Sequence, residues 1–197
     1  MNPIFAAALE VQAFCRAGRW KFCFIGALAV QRWGEPRLTP DIGLTVMATF
    51  GAEAPYVDAL LGRFRGRSPD AHAFALQNRV VLLRSESGIP SDVALGAMPF
   101  EERATDRATD FVLQGGVALT TCNAEDLVVF RAFAGREKDR LDIEGIALRQ
   151  LGRLDEKLIW TELTPLLELK AAPDAAARLR VILARENDRA AEARRTS

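Results

Sequence analysis

A single histidine, His72, in 197 residues removes several chemistries at once. A His-based triad, a multi-His metal centre and most histidine general bases would all have to use that one residue. It lies in the polar stretch SPDAHAF and reads as a solvated histidine in a loop or at a helix start. The three cysteines, Cys15, Cys23 and Cys122, are odd in number, widely spaced and set among apolar neighbours. That argues against a disulfide framework and a zinc site, and a reducing, cytoplasmic compartment is the simpler expectation. Neither a Gly-x-Ser-x-Gly elbow nor a Gly-x-x-x-x-Gly-Lys-Ser/Thr phosphate loop occurs. Neither sign of charge dominates: 26 basic residues balance 26 acidic ones. No overall positive field therefore exists to hold DNA or RNA by its phosphates, stable DNA binding is not expected, and a nucleic-acid partner would need a local patch. No apolar run reaches the length of a membrane span. The N-terminal stretch IFAAALEVQAF carries Glu10 and lacks the positive leader and cleavage signature of a secretory signal. With these routes closed, any catalysis has to rest on carboxylates and a metal.

What remains is an ordinary globular composition, 49% hydrophobic and 26% charged, enough to bury a core in one domain or two small ones. Ile4, Ala8, Val11 and Cys15, with Phe5 and Leu9 beside them, have helical spacing over 4–16. Residues 21–25 read as a short buried strand ended by Gly26, and 27–32 as a helix stopped by Trp33-Gly34-Glu35-Pro36. A loop through Thr39 and Pro40 delivers Asp41 to a second strand over 42–48. A helix is expected over 56–65 and a third strand over 79–84. After the turn SESGIPS, 92–95 resumes extended structure, and pairing with the third strand would bring Asp92 near the sheet edge reached by Asp41. Residues 111–113 and 117–120 flank a hairpin turn at Gln114-Gly115-Gly116. Beyond Cys122 the pattern becomes helical. Asn123 caps a helix that ends at Gly135, and others are expected over 141–151, 155–169 and from Pro173 onward. The expected organisation is an α+β domain over 1–121 and a helical domain over 122–197.

The run from Phe22 to Val46 is the most informative. It joins an apolar strand to a Gly-initiated helix and then sets Asp41 at the mouth of a second strand. Transfer of a nucleotidyl group is an attack on the α-phosphorus of a nucleoside triphosphate, whose charge must be neutralised by divalent metal. Two or three carboxylates on neighbouring strands can hold such ions. Asp41 and Asp92 are the candidate metal ligands and catalytic residues, and Gly26 would let backbone N–H groups approach the phosphates. Locally, each has a plain reading of equal standing: Asp41 as a residue leading into a strand, Asp92 as a turn carboxylate, Gly26 as a strand-to-helix turn. Arg136, Lys138, Asp139, Arg140, Asp142 and Glu144 likewise read as a self-paired, solvated helix face.

The strings GALAV, LTPDIGLT, SDVALG, EDLVVFRAFAGR and REKDRLDIEGI, in this order over about 22–150, resemble the AbiEii-like branch of the DNA polymerase β-type nucleotidyltransferase superfamily, which includes toxins of bacterial toxin–antitoxin systems. Family members read approximately as Gly-Gly-(Leu/Thr)-Ala, Thr-Arg-Asp-x-Asp, a later Asp, Asp-Leu-x-x-x-Lys-Ala and Arg-x-Lys-Asp-x-x-Asp. The resemblance implies a nucleotidyltransferase-fold mixed sheet flanked by helices and followed by a C-terminal helical bundle. It implies Mg2+ or Mn2+ on Asp41 and Asp92, with Gly26, Ala27, Arg131 and Arg136 towards the nucleotide and Asp139 and Asp142 in support. An NTP substrate, an RNA or protein acceptor and a cognate antitoxin come with it. Four positions depart from the pattern. Gly43 stands where the second carboxylate of Asp-x-Asp would be, Ala27 replaces a glycine, Arg131 a lysine, and Pro40 the usual basic residue. The alternative implied by Gly43 is a protein that binds nucleotide or a partner without turnover, since loss of a shared metal ligand costs rate more than binding.

Overall fold

The computed structural model describes residues 2–113 and 115–196. The chain forms two compact units, one of Met1–Leu28 with Leu38–Cys122, the other of Ala29–Arg37 with the residues from Asn123 on.

In the first unit, α1 (Pro3–Ala17) begins with proline in its first turn, where the missing N–H costs nothing. Asn2 caps it, its side chain accepting from Ile4 N–H at 3.0 Å. Its buried stripe is Ala7, Ala8, Val11 and Cys15, close to the expected face. There follow β1 (Phe22–Phe24), α2 (Ala27–Trp33), which starts in this unit, and β2 (Ile42–Met47). Next come α3 (Ala54–Arg63), β3 (Arg65–Gly66), α4 (Ala71–Asn78), β4 (Val80–Arg84) and β5 (Pro90–Gly96). The unit closes with α5 (Pro99–Asp106), β6 (Thr109–Val112) and β7 (Ala118–Thr121).

The strands make one mixed, seven-stranded sheet in the order β3-β4-β5-β2-β1-β7-β6. β4 and β5 pair antiparallel, as the turn between them suggested, while β2 and β5 run parallel and in register from Ile42↔Ser91 to Met47↔Gly96. Alternation then sorts the side chains. Phe22, Phe24, Ile42, Leu44, Val46, Val81, Leu83, Val93 and Leu95 point to one face, where with residues of α1, α3 and α4 they form the core. The opposite face carries Gly43, Ala94, Leu82 and Asp92, all only half-buried.

Three elements lie outside the sequence expectation. Only Ala71 and Ala75 of α4 are buried, so it shows no apolar stripe. β3 spans two residues, too short for a periodic signal. α5 is signalled by capping instead: Pro99 opens it and the Glu101 carboxylate accepts from Ala97 N–H at 2.9 Å and Met98 N–H at 3.0 Å. Gln114 of the expected hairpin turn lies outside the described residues; the strands flanking it pair antiparallel. His72 is the second residue of α4, half-exposed, with Nε2 at 2.8 Å from Asp58 Oδ1.

The second unit holds α6 (Ala124–Ala134), α7 (Glu137–Gln150), α8 (Glu156–Lys170) and α9 (Pro173–Thr196). Asn123 Oδ1 accepts from Asp126 N–H at 2.7 Å and Gly135, at φ 71°, ends α6. α7 begins four residues before the expected start, because the Asp139 carboxylate accepts from Arg136 N–H at 3.1 Å and organises the first turn. Residues 29–37 join these helices by close contact. A Cβ on Gly34 would stand 2.9 Å from Ile146 Cγ1, and Arg149 and Gln150 donate to the carbonyls of Gly34 and Trp33 at 2.7 Å and 2.9 Å.

The fold is α+β: a mixed sheet flanked by helices, with C-terminal helices. Among the described residues, no helix is long and apolar enough to cross a membrane.

Candidate functional site

In the first unit the β2–β5 register sets Asp92 directly opposite Gly43. Asp41 precedes β2 by one residue, and counting back two positions from Gly43 it falls on the same half-open face. Both carboxylates are held. Thr39 Oγ1 donates to Asp41 Oδ1 at 2.7 Å. Arg67 Nη2 donates to Asp92 Oδ1 at 2.6 Å, and Arg67 N–H donates to the carbonyl of Leu82, the β4 residue paired with Asp92. Arg67, the residue after the two-residue β3, was missed in the sequence; its one local signal is the alternation of Arg63, Arg65 and Arg67.

Gly26 lies against the same point. Its N–H and that of Ile25 both donate to Gly43 O, at 3.1 Å and 3.0 Å. A Cβ on Gly26 would stand 2.9 Å from Gly43 N and 3.0 Å from Gly43 Cα, so the approach of two backbones demands glycine there. A Cβ on Gly43 would meet Gly26 Cα at 3.3 Å, so a carboxylate at 43 is admissible only if the Gly26 turn yields by a few tenths of an ångström. Ala27, the first residue of α2, is buried. Gly26, Gly43, Asp41 and Asp92 thus gather at one end of adjacent strands. Among the described residues no group of three or more His, Cys, Asp or Glu is placed to hold a metal ion.

The second constellation lies within the helical unit. Arg131, largely buried, sends Nη1 to Asp139 Oδ1 at 3.0 Å and has Nε 3.3 Å from Asp142 Oδ2. Arg136 grips Asp139 with Nε at 2.7 Å and Nη2 at 3.0 Å. Arg37 grips Asp142 with Nε at 2.8 Å and Nη2 at 3.2 Å, a bidentate pair not signalled by the sequence because 105 positions separate the partners. Burial by itself raises the Asp139 carboxyl. The hydrogen bonds from Arg136 and the charges of Arg131 and Arg136 outweigh it and hold the group below the ordinary carboxylate range. The helix face expected to be solvated is therefore a buried network at Asp139 and Asp142, while Arg136 and Lys138 are exposed and Arg140 and Glu144 half-buried.

Cys15, Cys23 and Cys122 are all buried thiols outside any disulfide, and burial pushes the Cys15 thiol up to about 12, leaving it without nucleophilic character at neutral pH.

No protein-family model and no curated protein matches the chain. Among solved structures it is similar to an antigenic nucleotidyltransferase-like protein from Paracoccidioides brasiliensis, with 16% identity, TM-score 0.50, and 91% of this chain and 93% of that one covered. A second similar structure, the antibiotic-resistance factor ANT(2'')-Ia, has 13% identity and TM-score 0.49, covering 98% of this chain and 95% of that one. The first likeness is one of fold, and the fold is nucleotidyltransferase-like.

Proposed function

We propose that the chain binds a metal–nucleoside triphosphate on the half-open face of its sheet, with Asp41 and Asp92 as metal-binding carboxylates and the Gly26 turn beside the phosphates, and transfers the nucleotide to an RNA end or a protein hydroxyl. The observation that carries the reading is the β2–β5 register, which sets Asp92 beside Gly43 and one step from Asp41, against the Gly26 turn. The nucleotidyltransferase-like fold supports it. Two carboxylates suit one Mg2+ or Mn2+ that keeps several waters and leans on the substrate's phosphates; with Gly43 between them they do not suit a pair of ions. Such an ion, when bound, supplies neutralisation of phosphate charge. The chain's own residues do the rest: Thr39 orients Asp41, and Arg67 must release Asp92 Oδ1 or share it. On the AbiEii-like resemblance, Arg131 and Arg136 steady the phosphates with Asp139 and Asp142 orienting them. The same resemblance makes the protein the toxin of a cytoplasmic toxin–antitoxin pair, for which a small adjacent gene encoding an antidote is the genomic observation to seek.

A second reading, binding without turnover, is favoured by Gly43 and by the Arg67–Asp92 ion pair, which occupies one of the two carboxylates. Incubation with labelled triphosphates, Mg2+ or Mn2+, and mixed RNA and protein acceptors separates the two. Label transfer by the unaltered chain, lost in Asp41→Ala, establishes the enzyme. Transfer only after Gly43→Asp, with metal–nucleotide binding by the unaltered chain, establishes the binding protein. No thermal shift with metal–nucleotide rejects both.

A further inference from the structure

Arg65 of β3 and Arg84 of β4 are direct partners in an antiparallel pair at the edge of the sheet. Side chains so placed share one face with their Cβ atoms about 4.5–5.5 Å apart, and like charges there repel. Arginine cannot relieve the repulsion by losing its proton. Both side chains are exposed, and among the described residues neither makes an ion pair; Arg84 Nη1 donates to Gly88 O at 3.0 Å. Neighbouring Arg63 is already neutralised, its Nη2 lying 2.6 Å from Glu86 and 3.5 Å from Glu10.

The surround is rigidly built. Gly88 N–H donates to Ser85 O at 2.9 Å and Ser85 N–H to Ile89 O at 3.0 Å, with Gly88 at φ 80°. Glu10 of α1 accepts from Glu86 N–H at 3.1 Å and pins the turn from outside. Arg63, Phe64, Arg65, Arg84, Ser85 and Glu86 line a recess of about 360 Å3 there, the size of a small-molecule pocket and more than one ion needs.

We propose that this recess is a binding site for a compact phosphate-bearing small molecule, a phosphomonoester or diphosphate, held on the guanidiniums of Arg65 and Arg84. The two uncompensated positive charges match a phosphate group, which carries about −1.5 to −2 at neutral pH, and the planar forks suit its oxygens. A nucleic-acid strand fits less well. Phe64 is buried and offers no stacking platform, and Glu86 on the rim opposes an extended polyanion. The plain alternative is that charged edge residues merely discourage strand pairing between copies, a role that needs no ligand. The site is independent of the transfer reading, because it uses neither Asp41 nor Asp92.

The test is thermal melting and calorimetric titration of the full chain with inorganic phosphate and pyrophosphate, at constant ionic strength and without divalent metal, beside 12-residue RNA and DNA. Pyrophosphate at a tenfold excess over its Kd should raise Tm by about 3–6 °C. Arg65→Gln with Arg84→Gln should weaken binding at least tenfold without lowering the Tm of the ligand-free chain, and Arg65→Lys with Arg84→Lys should retain part of the affinity. Phosphate and pyrophosphate leaving Tm and heat unchanged would assign the arginines to edge protection and overturn the proposal. Oligonucleotide binding ten times tighter than pyrophosphate, lost in the same glutamine variant, would overturn it in favour of a nucleic acid.

Discussion

Gly43 shows how a residue changes meaning between the sequence and the fold. In the chain it reads as a missing carboxylate; in the sheet it is the surface on which Gly26 rests. The two glycines are not equivalent, because a Cβ on Gly26 runs into backbone at 2.9 Å whereas one on Gly43 meets Gly26 Cα at 3.3 Å. Gly26→Ala should therefore cost about 1–3 kcal/mol of stability, as overpacking against unyielding atoms does. Gly43→Ala should cost clearly less. Urea unfolding of the two variants checks this, and equal midpoints would mean that the contact does not govern the turn. Asp41, Asp92 and Gly26 stood in the chain as candidates of equal standing with plain local readings, and the family resemblance is what favoured them. Arg67, which holds Asp92, was not among them, since nothing local marks Arg67 as its neighbour.

Among the elements, α7 depends most on a single side chain. Asp139 accepts from the N–H that opens the helix and from two guanidiniums while fully buried. Removing one member of a buried ion network leaves the others uncompensated, so Asp139→Asn should destabilise the protein by about 3–5 kcal/mol near neutral pH. The folded carboxyl titrates below its unfolded value, which is near 3.9 for an aspartate. This stabilisation is thus complete above about pH 4 and is lost as pH falls through the folded pKa. Unfolding measured from pH 7 down to pH 2 should show the gap between wild type and Asp139→Asn narrowing only below about pH 4. A gap that does not change with pH would contradict the role given to the charge. Elements with a strong period or a side-chain cap, such as α1, β2 and α6, were readable from sequence. α4 and β3 were not, because one buries only two alanines and the other spans only two residues.

At the scale of the molecule, residues 29–37 belong with the helices from Asn123 onward, although in the chain they lie between the adjacent sheet strands β1 and β2. A fragment of residues 123–197 lacks the Arg37 grip on Asp142 and the Gly34 contact with Ile146. It should lose helix content and melt well below the full chain, and a peptide of residues 29–37 should restore part of both by circular dichroism. A fragment as stable without the peptide as with it would show that the segment is not part of that unit's core. The amino-acid order alone determined the α+β class, most strands and helices, and the acids and glycines worth watching, because the periods of 2 and 3.6 residues and the capping groups act over a few positions. Only the tertiary structure decided that Arg67 holds Asp92, that Arg37 holds Asp142, and that Arg65 faces Arg84. Those meetings follow from strand register and helix packing between segments distant along the chain, and no local pattern encodes them.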